Sequence, residues 1–377
     1  MSNNKKPVVV YGASGYTGRL VCEYLREYGI PFIAAGRSKE KLDEAMHAHV
    51  PGIETADHEV VQVEHSTEAL TALFQGASVV LNTVGPFAKF GHEVVQACLA
   101  AGCHYTDTTG EQDWLITLDQ EYGAKFAKAG LLLSPGLAQM YTTGEIAAQL
   151  CLETPGLDTL DIAVFWGGSP TIASTQTILV NAATSKAFHL QGKQYVEWQP
   201  DAGLYQLAIP GQHEMALALP WGGTSHPVWF KRDPRVANVK VLGGVFNKPL
   251  MLGVPKIVEA ALKATEGMNE ADRYAALSQT AAGVMNTMPP RENPRINKSV
   301  DSVHASGPLG RAHCVIYGNC NYKQTGLLQA FAANWLLQQA PLRAGFASGC
   351  QAFGHHALLG ALRHFGLVQA PVLTVHA

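Results

Sequence analysis

Three glycines, Gly12, Gly15 and Gly18, fall three residues apart in VVVYGASGYTGRL, residues 8–20. Between a strand and a helix, glycines so spaced hold a pyrophosphate against the backbone N–H groups of the helix start. Val8, Val9 and Val10 supply a β-branched strand. Residues 19–28 supply the helix, with Leu20, Val21, Tyr24 and Leu25 on one face. Gly12 permits the tight turn, Gly15 lets phosphate approach the backbone, and Gly18 lets the helix pack on the strand. Ser14 and Thr17 add hydroxyl donors around Tyr16. The candidate phosphate-binding set is therefore Gly12, Ser14, Gly15, Tyr16, Thr17 and Gly18. The spacing departs from the usual dinucleotide pattern at one place: Ala13 stands where that pattern has its first glycine.

A second strand over residues 31–35 ends at Gly36, where an adenosine ribose would lie. A site for NAD would place Asp or Glu there to bond the ribose 2′-hydroxyl. This chain instead offers Arg37, Ser38 and, one turn into a helix over residues 39–48, Lys41. A guanidinium with a hydroxyl suits a 2′-phosphate, which a carboxylate would repel. The expected cofactor is NADP. Ser38 also fits as the N-cap of the helix that follows it.

The remaining candidates fall where further strands end. Strands are expected over residues 58–64, 78–84, 103–111 and 131–136, with helices between them over 67–74, 92–101 and 118–128. Alternation of this kind means a doubly wound parallel sheet, whose ligands bind at the carboxyl edge. Asn82, Thr83, Gly85, Pro86 and Phe87 reach that edge beside the cofactor. Glu64 and His65 would edge an adenine or form a solvated turn. Tyr105, Asp107, Glu111 and Tyr141, which opens a helix over 137–152, fall near the nicotinamide. A phenol is a good proton donor to a developing enolate, which makes Tyr141 and Tyr105 candidate catalytic groups, with Asp107 beside them. Tyr105 could equally pack under the sheet edge, and Asp107 could cap the next turn.

Composition excludes several classes. With 377 residues, 47% of them hydrophobic and 15% charged, the chain can bury a large core and form two domains. A net charge of −3 offers no grip on nucleic acid or an anionic membrane. No apolar run reaches the length of a spanning helix, and MSNNKKP leads into the first strand without room for a signal peptide. Seven cysteines without a C-x-x-C pair suggest buried reduced thiols in a cytoplasmic protein, and no metal site. His355 and His356 are adjacent on an expected helix over 349–366, where they would diverge by about 100°.

Four blocks taken together resemble the saccharopine dehydrogenase-like oxidoreductases: VVVYGASGYTGRL, AAGRSKEKL, VVLNTVGPFAKFGHEVVQACLAAGCHYTDTTGE and LLLSPG. The third is the most diagnostic, and the likeness covers about residues 7–140. That family includes saccharopine reductase and the trans-acting enoyl reductases. The resemblance implies a nicotinamide cofactor, a mixed second domain carrying a homodimer contact, and a C-terminal helix returning to the first domain. The expected organisation is a Rossmann-type domain over 1–152, an α+β substrate and dimerisation domain over 153–322, and C-terminal helices over 323–377.

Beyond Gly136 the cations Arg232, Arg235, Arg291 and Arg295 stand out, all in expected loops. That is sparse for clamping an amino diacid. The expected activity is therefore NADPH-dependent reduction of a carbonyl-conjugated C=C bond in an apolar small molecule. The alternatives are C=N reduction by a saccharopine-type amino-acid dehydrogenase, and an NADP-binding scaffold or sensor without turnover.

Overall fold

The computed structural model describes residues 6–199, 203–284 and 287–376, without the side chains of 182–184 and 222. Residues 1–5, ahead of the first strand, lie outside the described residues. The chain divides into two compact units. One comprises the residues up to Thr109, Trp114–Thr142 and Tyr322–Leu367. The other comprises Gly110–Asp113, Thr143–Asn321 and the chain from Val368.

The first unit is a seven-stranded, all-parallel sheet. Its strands β1 (Val8–Tyr11), β2 (Phe32–Gly36), β3 (His58–Gln62), β4 (Val79–Asn82), β5 (His104–Asp107) and β6 (Leu132–Ser134) lie in the order β3-β2-β1-β4-β5-β6, with Gly345–Phe346 added beside β6. Val8, Val9 and Val10 are wholly buried, as a strand covered on both faces requires. Helix α1 (Tyr16–Glu27) buries the expected stripe Leu20, Val21, Tyr24 and Leu25. Helix α2 (Lys39–His49) is capped by Ser38 and α3 (Thr67–Phe74) by Ser66. Helix α4 (Phe87–Ala101) begins at Phe87, five residues before the expected start. Gly91 lies inside this helix, with the Trp114 ring against it. A Cβ there would stand 2.3 Å from Trp114 Cζ2. Helix α5 (Gln139–Cys151) follows β6.

The second unit carries β7 (Thr159–Trp166), β8 (Phe188–Gln191), β9 (Gln194–Glu197), β10 (Tyr205–Leu207), β11 (Ala216–Ala218), β12 (Asn238–Val245), β13 (Lys298–Ser306) and β14 (Arg311–Asn319). Its main sheet runs Val372–His376, β14, β13, β7, β12, β8, β9. Only β7 and β12 pair in parallel; the other neighbours are antiparallel. The β10–β11 hairpin buries Ile209, Ala216 and Ala218 against Phe165, Val300 and Val315.

Four further features differ from expectation. The helices Lys248–Ala264 and Glu270–Val284 were not foreseen; they pack with Ile172–Thr184 through Leu179, Ala261, Leu277 and Ala281. The helix expected over 349–366 is two, Gly349–Phe353 and His355–His364, because Gly354 takes a left-handed φ of 82°. The segment expected as 323–377 is divided. Tyr322–Leu367 belongs to the first unit, and Val372–His376 is an edge strand of the second sheet, where its unpaired partner row on β14 receives it. His355 and His356 also do not diverge as expected. They open a helix with ring centroids 4.3 Å apart. All seven cysteines are free and buried.

One buried side chain ties the carboxyl edge of the first sheet to the helix Asn321–Gln338. Gln329 donates to the Asp107 and Leu137 carbonyls at 2.9 and 2.8 Å and accepts from the Thr106 hydroxyl. Gln329→Leu strands the buried Leu137 carbonyl and the Thr106 hydroxyl, and takes from the Asp107 carbonyl one of its two donors. The variant should lose about 3 kcal/mol of unfolding free energy, read as a lower urea midpoint at unchanged slope.

Candidate functional site

The glycine turn is built by contacts that leave no room for side chains. Gly12 takes φ 91°, and its N–H donates to the Ala35 carbonyl on β2 at 2.9 Å. A Cβ on Gly12 would meet Thr83 Oγ1 at 2.7 Å, and one on Gly18 would meet the Gly12 carbonyl at 2.4 Å. Thr83 locks the turn from β4: its hydroxyl donates to the Tyr11 and Gly12 carbonyls, each at 3.1 Å. Helix α1 has Gly15 at its N-cap and no side-chain cap. Its amide end is thus left for a ligand rather than for a serine or aspartate. Ser14, Gly15, Tyr16 and Thr17 are half-buried around it. The turn fits a pyrophosphate, with Ala13 buried beneath it.

At the ends of β2 and β3 lies a surface hollow of about 470 Å³, lined by Arg37, Gln62, Val63, Glu64 and His65. Arg37 is exposed. Ser38 Oγ accepts from the Lys41 N–H at 3.3 Å, so the capping role holds, and the hydroxyl proton remains to be given elsewhere. His65 is fixed from behind: Nδ1 lies 2.8 Å from Tyr11 Oη, and Nε2 lies 3.4 Å from Glu93 Oε2. Tyr11 and Glu93 were not foreseen. The only signal in the sequence is that Tyr11 ends the first strand just before Gly12.

Past β4 and β5 the chain spends its polar groups on itself. Asn82 is buried; Oδ1 accepts from the Val84 N–H at 3.0 Å, and Nδ2 donates to Tyr105 Oη at 3.1 Å. Tyr105 Oη donates to Asp107 Oδ2 at 2.8 Å. Asp107 Oδ1 accepts from the Thr109 and Gly136 N–H groups at 2.9 and 2.8 Å. Both Tyr105 and Asp107 have no exposed surface. Burial drives the Tyr105 phenol well above its ordinary range. Burial also raises Asp107 to about 6, against the backbone N–H bonds that pull it down. Pro86 and Phe87 are buried at the start of α4, and Gly85 is half-buried. Tyr141 lies in the first turn of α5, half-buried, its N–H bonded to the Ala138 carbonyl at 3.0 Å. Glu111 falls in the short segment Gly110–Asp113 that belongs to the second unit.

Known proteins share this architecture. Residues 142–377 match a family described as of unknown function, DUF5938. Residues 8–130 match the saccharopine dehydrogenase NADP binding domain. A saccharopine dehydrogenase-like oxidoreductase of Rattus norvegicus is 34% identical over 148 residues, 35% of this chain and 34% of that protein. A trans-acting enoyl reductase of Mycobacterium tuberculosis is 38% identical over 107 residues, 28% of this chain and 25% of that protein. The chain thus spans about a third or less of the length of these relatives. The solved structure of apo saccharopine dehydrogenase (L-Glu forming) from Saccharomyces cerevisiae has the same fold, with a TM-score of 0.62 at 11% identity, covering 98% of this chain and 100% of that one. NADP is the cofactor of the first unit.

The Asp107 carboxyl gives a pH test. Its folded value lies above the unfolded 3.8. Its contribution to stability is therefore fully present below about pH 4 and lost as pH rises through about 6, about 3 kcal/mol in all. Urea midpoints of the protein and of Asp107→Asn, compared from about pH 4 to about pH 7, should shift in favour of the variant as pH rises.

Proposed function

We propose a function from the premise that the chain belongs to DUF5938, a family of unknown function, and carries a saccharopine dehydrogenase NADP-binding domain. It is an NADPH-dependent oxidoreductase that reduces a C=C bond conjugated to a carbonyl in an apolar small molecule.

The observation that carries the reading is the placement of Tyr141. Asp107 grips the Gly136 N–H through its carboxylate and the Leu137 N–H through its carbonyl, the latter at 2.9 Å. The chain from there to Tyr141, at the start of α5, is short and anchored. That supports a phenol held at the carboxyl edge of the sheet, where proton donation is needed. Tyr105 and Asp107 serve the same site from beneath, as the buried pair that positions the edge.

Arg235 supports an apolar substrate. Its guanidinium is spent on Asp233 at 2.7 Å, Gln149 at 2.7 Å and the Leu152 carbonyl, so it is not set out to clamp a diacid. The relative named a trans-acting enoyl reductase supports the choice of C=C over C=N. The free, buried cysteines accord with a cytoplasmic setting, and a homodimer through the second unit follows the family resemblance.

When bound, NADPH supplies the hydride. The protein's own groups do the rest. The glycine turn and Thr83 fix the pyrophosphate end. Arg37, with Ser38 and Lys41, would receive the 2′-phosphate. Asn82, Gly85, Pro86 and Phe87 would border the nicotinamide. With hydride delivered to the β-carbon of the substrate, negative charge would move to the carbonyl oxygen as an enolate. Tyr141 gives its proton to the α-carbon side and is reprotonated from water. The C=C bond would be replaced by two C–H bonds, one hydrogen coming as the hydride that bound NADPH would supply and the other as the proton from Tyr141.

NADPH oxidation should appear with conjugated enones or enoyl thioesters, and be absent with amino-acid and keto-acid pairs; the reverse pattern rejects the reading. Tyr141→Phe should lower kcat roughly tenfold to a hundredfold with NADPH affinity unchanged, and unchanged turnover removes Tyr141 from the reaction. Arg37→Ala should raise the Kd for NADPH roughly tenfold and leave that for NADH alone, as fluorescence titration would report.

A further inference from the structure

His65 is the least explained group of the first unit. It lines the hollow with Arg37 and Glu64. Behind it, Tyr11 Oη meets Nδ1 at 2.8 Å, with the two rings within 8° of parallel. Phe90 of α4 stands edge-on to it, centroids 5.4 Å apart. Lys89 holds its ammonium 5.4 Å from the Phe90 centroid. Nε2 faces Glu93 Oε2 at 3.4 Å. Both of these atoms are buried, and neither makes a hydrogen bond among the described residues. The imidazole thus faces a carboxylate at ion-pair distance that it does not yet grip.

The titratable and charged groups around it are Tyr11 from β1, Arg37 beyond β2, Glu64 on its own loop, and Glu93 and Lys89 from α4. Burial raises the Tyr11 phenol to about 12, so Tyr11 keeps its proton throughout the working range. Arg37 is always charged. Imidazole is the side chain whose charge changes in the range where such a protein works. Of the groups that line the hollow, Arg37 is the fixed cation and Glu64 the carboxylate, while Glu93 stands behind His65. A 2′-phosphate adds a charge of about −1.5 to −2. That addition is compensated best when one more positive charge forms at the wall.

We infer that NADPH binding is linked to proton uptake by His65, whose imidazolium faces the 2′-phosphate side of the hollow and is held from behind by Glu93. This rests on the NADP-binding reading of the same hollow. Binding of the anion favours the charged imidazole, so by linkage the charged imidazole favours the anion. Affinity for NADPH rises as pH falls, while affinity for NADH, which lacks the 2′-phosphate, does not. Protonation of the phosphate itself, near pH 6, works in the opposite sense, so the effect is read above that pH.

The test is calorimetric titration of the whole protein with NADPH and with NADH, from about pH 8 to about pH 6, in two buffers of different ionisation enthalpy. Expected is proton uptake with NADPH and none with NADH, and a Kd for NADPH that tightens about threefold to tenfold over the range. His65→Gln should abolish both the uptake and the slope, and Glu93→Gln should reduce them. Should His65→Gln not fold, the uptake in the unaltered protein decides. NADPH bound more tightly than NADH, but with no proton uptake, overturns this inference and leaves the NADP reading standing. The same uptake in His65→Gln also overturns it. NADPH bound no more tightly than NADH at any pH overturns both.

Discussion

The Asp107 carboxylate is the constraint on which the first unit turns. A charge with no exposed surface is expensive unless every lone pair is used. Here one oxygen collects two backbone N–H groups, from Thr109 and Gly136, and the other collects the Tyr105 hydroxyl. Those partners come from the end of β5, the loop beyond it and the loop beyond β6. A single carboxylate therefore fixes three pieces of chain that would otherwise be loose at the carboxyl edge of the sheet. Asn82 carries the same network across to β4. The edge becomes rigid because its polar groups are satisfied inward, and the groups left half-buried there, such as Tyr141, stand on firm backbone.

On the other side of the sheet the device is steric. Close approach of Gly12, Gly18 and Thr83 packs the start of α1 onto β1 and β4. An open amide end is thereby held in place without a side chain filling it. One half of the site is fixed by hydrogen bonds to a buried acid and the other by the absence of Cβ atoms. The two meet along β4, where Asn82 serves the first and its neighbour Thr83 the second.

The parts visible in the sequence were those with a local signature. Val8–Val10, the glycine spacing and the α1 stripe identified the sheet and the phosphate turn, because strand, turn and helix are contiguous. Arg37 without a neighbouring acid pointed to NADP for the same reason. What stayed hidden depends on residues far apart in sequence. Gln329 reaches Asp107 and Leu137 from two hundred residues away or nearly so. His65 meets Tyr11 and Glu93, each on a different element. Helix α4 begins ahead of the expected 92, and the contact between Gly91 and Trp114 inside its first turns joins residues more than twenty apart. Of the two unforeseen helices, Lys248–Ala264 has an apolar face but carries Pro249 in its first turn and Pro255 inside it, which read as breaks, and Glu270–Val284 is weakly patterned.

The first unit is also assembled from chain that emerges at very different times. The strand Gly345–Phe346 lies directly beside β6, and Gln329 lies under the edge that Asp107 organises, yet both are made after the whole of Thr143–Asn321. During synthesis, β6 is an open border of a sheet already six strands wide, and the carbonyl of Leu137 waits without the Gln329 amide. Such long-range closure slows folding and leaves an unpaired strand edge exposed meanwhile. The cofactor domain is thus begun before the second unit and completed only after most of it.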